Sequence, residues 1–85
     1  MSEAFQAAVD DVKTLSRDPG NEAKLRLYAL YKQATAGDVQ GRRPGFTDLV
    51  GRFKYDAWAA LAGTSSEDAE QQYVDYVAAL RAADD

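Results

Sequence analysis

An all-α chain of four helices is predicted by three observations. Four stretches place apolar residues at the 3.6-residue spacing of one helical face, glycine or proline breaks with capping residues separate them, and nothing alternates as a half-buried strand does. The chain has 85 residues, enough for one modest core, so a single domain over residues 1–85 is expected. A hydrophobic fraction of 46% beside 28% charged residues fits a globular chain rather than a disordered one. No repeat or low-complexity segment interrupts it.

The first helix runs from Ser2 to about Leu15, with Ser2 as N-cap and Phe5, Ala8, Val9, Val12 and Leu15 on one face. It stops at RDPGN, where Pro19 holds Asp18 extended, Gly20 frees the backbone and Asn21 is a cap for the next helix. Helix two follows from about Glu22 to Ala36, with Gly37 as its C′ residue. From Gly37 to Thr47 three glycines and a proline leave no helical period, which makes a long loop of the kind that is often functional. Thr47 or Asp48 caps helix three, which continues to about Ala62 with Val50, Phe53, Ala57 and Leu61 on one inward face; Gly63 ends it. Ser65 caps helix four, with Asp68 completing a variant capping box and Ala69, Tyr73, Tyr76, Val77 and Leu80 on one side. Asp84 and Asp85 close the chain as a frayed tail.

Composition narrows the chemistry. With no cysteine and no histidine, disulfides, thiolate nucleophiles, the commonest metal ligands and every Ser-His or Cys-His arrangement are excluded. The amino terminus has neither a basic nor an apolar leader region, and no apolar run approaches the roughly 20 residues that span a bilayer, so a cytoplasmic protein without stable membrane insertion is expected. The net charge of −4 argues against nucleic-acid binding. Charge is nevertheless uneven: residues 13–54 carry nine of the ten Lys and Arg against four acids. Both a local anion site in an acidic protein and ordinary charge scatter fit that distribution.

Helix two has more than a core face. On a wheel of ~100° per residue, Ala23, Leu27, Leu30 and Ala34 form an apolar arc, while Lys24, Tyr28, Tyr31, Lys32 and Thr35 form the adjoining one, with Leu25 at its edge. Phenol rings stack on flat heteroaromatic rings and ammonium groups pair with phosphate, so this second arc suits a nucleotide; it equally suits boundary tyrosines with a snorkelling lysine. Lys54 interrupts the inward arc of helix three, and would converge with Lys32 on one anion if the two helices share a cleft. Lys13, near the end of helix one, is a third cation for that rim. Arg42 and Arg43, beside Pro44 and Gly45, suit either phosphate binding or solvated turn positions, and the structural reading comes first; Asp56 reads as an acid in an aromatic pocket or, more simply, as a surface carboxylate beside a core Trp58; the acids of helix four read as cap, dipole partners and solvated face.

These residues stand in a recognisable order. YxxYKQATxGD, RPG in the loop, GRFKYDAW, and LAGTSSEDAEQQYVDYV together resemble the acyl-CoA-binding protein family, from Phe5 through Leu80. The resemblance implies a four-helix up-down-down-up bundle that binds long-chain fatty acyl-CoA with high affinity, as an intracellular carrier and pool former. By position it implies that Tyr31 stacks on adenine, that Tyr28, Lys32 and Lys54 hold the ribose 3′-phosphate, and that Lys13 adds another cation. It likewise makes Tyr73 a residue lining the ligand and Leu25 an apolar contact, with Phe5, Leu27, Ala34, Trp58 and Leu80 forming the fold. The sequence departs from the family at Val50, often lysine, at Lys24, often apolar, and at Tyr55, where tryptophan is frequent. No cofactor and no catalysis are implied; acyl-CoA-using enzymes would be transient partners of a monomer. A second reading is a helical interaction module docking an acidic partner, and a third is slow thioester hydrolysis by a carboxylate-activated water.

Overall fold

The computed structural model describes residues 1–84 and contains α1 (Glu3–Val12), α2 (Asn21–Ala36), α3 (Leu49–Ala59) and α4 (Ser66–Ala83). Among the described residues there is no strand. The caps explain most of the helix starts. Ser2 Oγ accepts from Phe5 N at 3.1 Å, Asp48 Oδ1 from Gly51 N at 2.9 Å, and Ser65 Oγ from Asp68 N at 3.0 Å, each satisfying an amide that the first helical turn leaves unpaired.

Helix α2 begins differently from the expectation. Asn21 is its first residue rather than its cap; Gly20 occupies the cap position with φ +95°, a conformation costly for residues with a Cβ. Asp18 stabilises the turn instead, accepting from Gly20 N at 2.8 Å and from Lys24 Nζ at 2.8 Å. The other end follows the expectation, with Gly37 at φ +80° donating its N–H to Gln33 O at 3.2 Å. Two helices are shorter than their apolar spacing suggested. Helix α1 gives way to a turn after Val12, and α3 to turns over residues 60–63, because three-residue hydrogen bonds such as Leu61 N to Trp58 O replace the helical ladder there.

Helix directions follow from the cross-links. Ser2 N bonds Glu70 Oε1 at 3.0 Å near the start of α1 and α4, while Arg81 reaches Thr14 Oγ1 at 3.1 Å and Asp11 Oδ1 at 2.9 Å near their ends, so the two run parallel. Gln33 Nε2 bonds Thr64 O at 2.8 Å just ahead of α4, whereas Arg26 lies 6.0 Å from the Tyr76 ring, which makes α2 antiparallel to α4. Tyr28 meets Lys54 and Lys32 meets Trp58, so α3 runs parallel to α2. The bundle is therefore up-down-down-up, and packing in the spatial order α1, α4, α2, α3 flattens it to 38 × 26 × 15 Å.

The core lies where α1, α2 and α4 meet. Phe5, Leu30 and Ala69 are fully buried, with Ala8, Leu27, Ala34, Tyr73 and Val77 around them. The apolar arc of α2 and the Tyr73 side of α4 thus face inward as their spacing predicts. Helix α3 departs from its expectation. Described throughout, it has no fully buried residue, and Val50 and Phe53, on its supposed inward face, are 63% and 56% exposed. A period records which residues share a face, not whether another helix covers that face. At the chain's end Asp84 is not frayed: its carboxylate accepts from Ser16 N, Ser16 Oγ and Arg17 N at 2.9, 3.0 and 3.1 Å, and these contacts, Ser16 N first, hold it below the ordinary carboxylate range. Asp85 lies outside the described residues.

Candidate functional site

Parallel packing of α2 and α3 opens a cleft of about 490 Å³ between their first turns. Leu25, Tyr28, Val50 and Phe53 make its wall apolar, and Lys24, Lys54 and Asn21 bring polar groups to it. Lys54 Nζ stands 5.3 Å from the centre of the Tyr28 ring, and one turn further along, Lys32 Nζ stands 5.0 Å from that of Trp58. The four residues form a crossed ladder, each helix giving one ring and one ammonium. Among the described residues neither ammonium is paired with a carboxylate, so both hold their charge against an aromatic face, an arrangement that suits a polyanion arriving from solvent.

Lys24 differs from them. Its ammonium is taken by Asp18, and the Lys24 hydrogen bond, followed by that of Gly20 N, lowers the Asp18 pKa.

Tyr31 and Tyr73 form a second group through a residue that the sequence assigned to the fold alone. Phe5 stacks on Tyr31 at 5.9 Å with 27° between ring planes, and meets Tyr73 edge-on at 5.1 Å and 72°. Tyr31 stays partly exposed, at 38%, although the buried Phe5 ring stacks behind it. Tyr73 is buried under Phe5, and burial, then the proximity of Tyr31, raises its phenol pKa. Lys13 stands apart: it is exposed at the C-cap of α1, and among the described residues no hydrogen bond or ion pair joins it to the others. Because α1 runs antiparallel to α2, Lys13, about 12 Å along the axis from Phe5 at ~1.5 Å per residue, lies toward the first turns of α2 and away from the level of Tyr31.

A polar knot positions α3. Gln33, the one buried polar side chain among the described residues, donates Nε2 to Asp38 Oδ1 and to Thr64 O, both at 2.8 Å, and its Oε1 accepts from Trp58 Nε1 at 3.2 Å. Trp58 Nε1 also reaches Gly37 O at 2.8 Å, and Asp38 Oδ1 accepts from Gly63 N at 2.9 Å, so α2, α3 and the start of α4 are joined at one point. The Gly63 N–H first and Gln33 second hold Asp38 below the usual carboxylate range. The long loop is strapped to the same helix by an Arg43–Asp56 fork at 2.9 and 2.7 Å and by Tyr55 Oη donating to Gly41 O at 3.0 Å. Arg43 and Asp56 are therefore structural, as the simpler reading has it, and Arg43, by its hydrogen bonds and charge, lowers the Asp56 pKa. Sequence spacing did not disclose the roles of Phe5, Gln33 and Phe53 around this site. Each lies on an apolar or neutral position whose partners belong to another helix.

The chain matches the family model "Acyl CoA binding protein" over residues 2–77. It is 45% identical over 80 residues to the acyl-CoA-binding protein homolog of Drosophila melanogaster, covering 94% of this chain and 93% of that protein. It is 54% identical over 76 residues to enoyl-CoA delta isomerase 2 of Rattus norvegicus, where those residues are 89% of this chain but the match spans only 19% of the isomerase. Among solved structures, acyl-CoA-binding protein of Moniliophthora perniciosa superposes with a TM-score of 0.90 at 40% identity, over 100% of this chain and 85% of that one. Acyl-CoA-binding protein 2 of Oryza sativa gives 0.87 at 46% identity, over 92% and 85%.

Proposed function

The chain belongs to the acyl-CoA-binding protein family, and from that premise we propose that it binds long-chain fatty acyl-CoA thioesters tightly in the α2–α3 cleft, as an intracellular carrier and pool former. The observation that carries this reading is the pairing of two ring-backed ammonium groups, Lys32 and Lys54, with an apolar cleft beside them. A ligand with a polyanionic, flat-ringed head and an apolar tail uses both halves at once.

In this reading Tyr31 stacks on the adenine ring, contributing ~1 to 3 kcal/mol by analogy with bases on aromatic side chains. Lys32, Lys54 and the Tyr28 hydroxyl hold the ribose 3′-phosphate, each lysine adding about 1.5 to 3 kcal/mol. Lys13 meets the phosphates from the end of α1, and Leu25 takes an apolar contact. Tyr73, fixed by Phe5, lines the ligand from α4. Burial of the tail is worth ~0.8 kcal/mol per methylene, so a long chain rivals the head. The work is sequestration and delivery to acyl-CoA-using enzymes, with no bond made or broken. The isomerase relative is mostly a protein that this chain does not span, so its name assigns no reaction here.

Calorimetry with palmitoyl-CoA, CoA and palmitate side by side tests the reading. Tight binding of palmitoyl-CoA, with CoA and palmitate each at least about 100-fold weaker, is the expected result. Equal weak binding of all three, or none, overturns it.

A further inference from the structure

The apolar cleft between α2 and α3 has a polar end. It runs from the rung of Tyr28 and Lys54 toward the first turn of α2, away from the rung of Lys32 and Trp58. Leu25, Val50 and Phe53 line that course. Lys24 and Asn21 end it, one and two turns back from Tyr28, which puts Asn21 about 10 Å along the axis at ~1.5 Å per residue.

Lys24 does not stand at that end alone. Asp18 Oδ2 accepts from its ammonium and Asp18 Oδ1 from Gly20 N, both at 2.8 Å, so the carboxylate is fixed to the turn and the ammonium to the carboxylate. The two side chains are 55% and 66% exposed, which leaves room for water around both charges.

Three kinds of chain end meet this pair differently. A methyl end strips water from two charges and returns no hydrogen bond. A carboxylate end gains the ammonium but sets a second negative charge beside Asp18. A hydroxyl end carries no charge, donates to the carboxylate and accepts from the ammonium or the Asn21 amide, so it replaces the water it displaces.

We propose that the Asp18–Lys24 pair, with Asn21, recognises a hydroxyl at the far end of a fatty acyl chain, so that the cleft prefers ω-hydroxyacyl-CoA thioesters to chains ending in a methyl or a carboxylate. This rests on the acyl-CoA reading, in which the polyanionic head sits at Lys32 and Lys54 and the tail follows the apolar wall toward the first turn of α2.

Calorimetry tests it by comparing dodecanoyl-CoA and palmitoyl-CoA with their ω-hydroxy forms and with hexadecanedioyl-CoA. At one chain length or both, the ω-hydroxy form is expected to bind about threefold or more tighter than the plain chain. Hexadecanedioyl-CoA is expected to bind about tenfold more weakly than ω-hydroxypalmitoyl-CoA. The double substitution Asp18→Asn with Lys24→Met removes both charges and keeps an acceptor for Gly20 N. It is expected to preserve helical content and to shift the ratio of hydroxylated to plain affinity by about tenfold toward the plain chain. Weaker binding of the ω-hydroxy form at both lengths, a carboxylate end that binds as tightly as the hydroxyl, or an unchanged ratio in the double variant each overturns this inference while leaving the acyl-CoA reading standing. No binding of any of the five thioesters overturns both.

Discussion

The α1–α2–α4 side of the molecule and the α2–α3 side are held by different forces. On the first, Phe5, Leu30, Ala69 and Val77 are sealed from water and interlocked, and aromatic rings pack in the preferred offset and edge-on geometries. On the second, α3 buries nothing completely and is fastened by an ammonium over each of two rings, by the Gln33–Trp58 knot and by the Arg43–Asp56 fork. Hydrophobic burial scales with area and is indifferent to a ligand, whereas exposed cations over rings gain from any anion that joins them. On the proposed reading, stability and recognition fall to different halves of one small fold, with α2 contributing a face to each.

The comparison is broken most severely from the core side. Phe5→Ala is expected to cost about 3 to 5 kcal/mol in urea unfolding, since it leaves a cavity against Leu30 and Tyr73. Because Phe5 also backs Tyr31, the variant that still folds is expected to bind palmitoyl-CoA more weakly. From the other side, Lys54→Ala is expected to lower affinity by about 1.5 to 3 kcal/mol in calorimetry while changing unfolding free energy by under ~1 kcal/mol. Equal losses in both measurements would erase the division drawn between the halves.

Gln33→Met sharpens it at the joint. The substitution keeps the volume but strips three hydrogen bonds from the knot, so a loss of roughly 1 to 3 kcal/mol is expected. Trp58 fluorescence, read on the same variant, is expected to shift to the blue as its indole N–H keeps only Gly37 O and an apolar side chain replaces the amide.

The smallest effect is titratable. Asp38 has its pKa depressed chiefly by Gly63 N–H and then by Gln33, and Asp56 and Asp84 are depressed by their own partners. Each binds fewer protons folded than unfolded, so its contribution is fully present above the unfolded value of about 3.9 and is lost as pH falls through the lower folded value. Urea midpoints are expected to fall between pH 5 and pH 3, and Asp38→Asn to flatten part of that slope. A midpoint unchanged over that range would mean these carboxylates contribute nothing to either half.

Sequence spacing by itself determined the helical class, the loop, the caps at Ser2 and Ser65, the choice of Thr47 or Asp48 as the cap of helix three, the inward arc of α2 and the adjoining arc of tyrosines and lysines. Those features depend on residues within one or two turns of each other, where 3.6-residue geometry and unpaired end amides leave little choice. Family resemblance, carried by motifs over the whole chain, supplied the helix directions ahead of the structure. Only tertiary packing decided that Lys54 backs onto Tyr28 and Lys32 onto Trp58, that Phe5 links Tyr31 to Tyr73, that Gln33 belongs in the core, and that Val50 and Phe53 border a cleft. Each of these depends on which helix lies opposite, a relation between residues distant in the chain that no local period encodes.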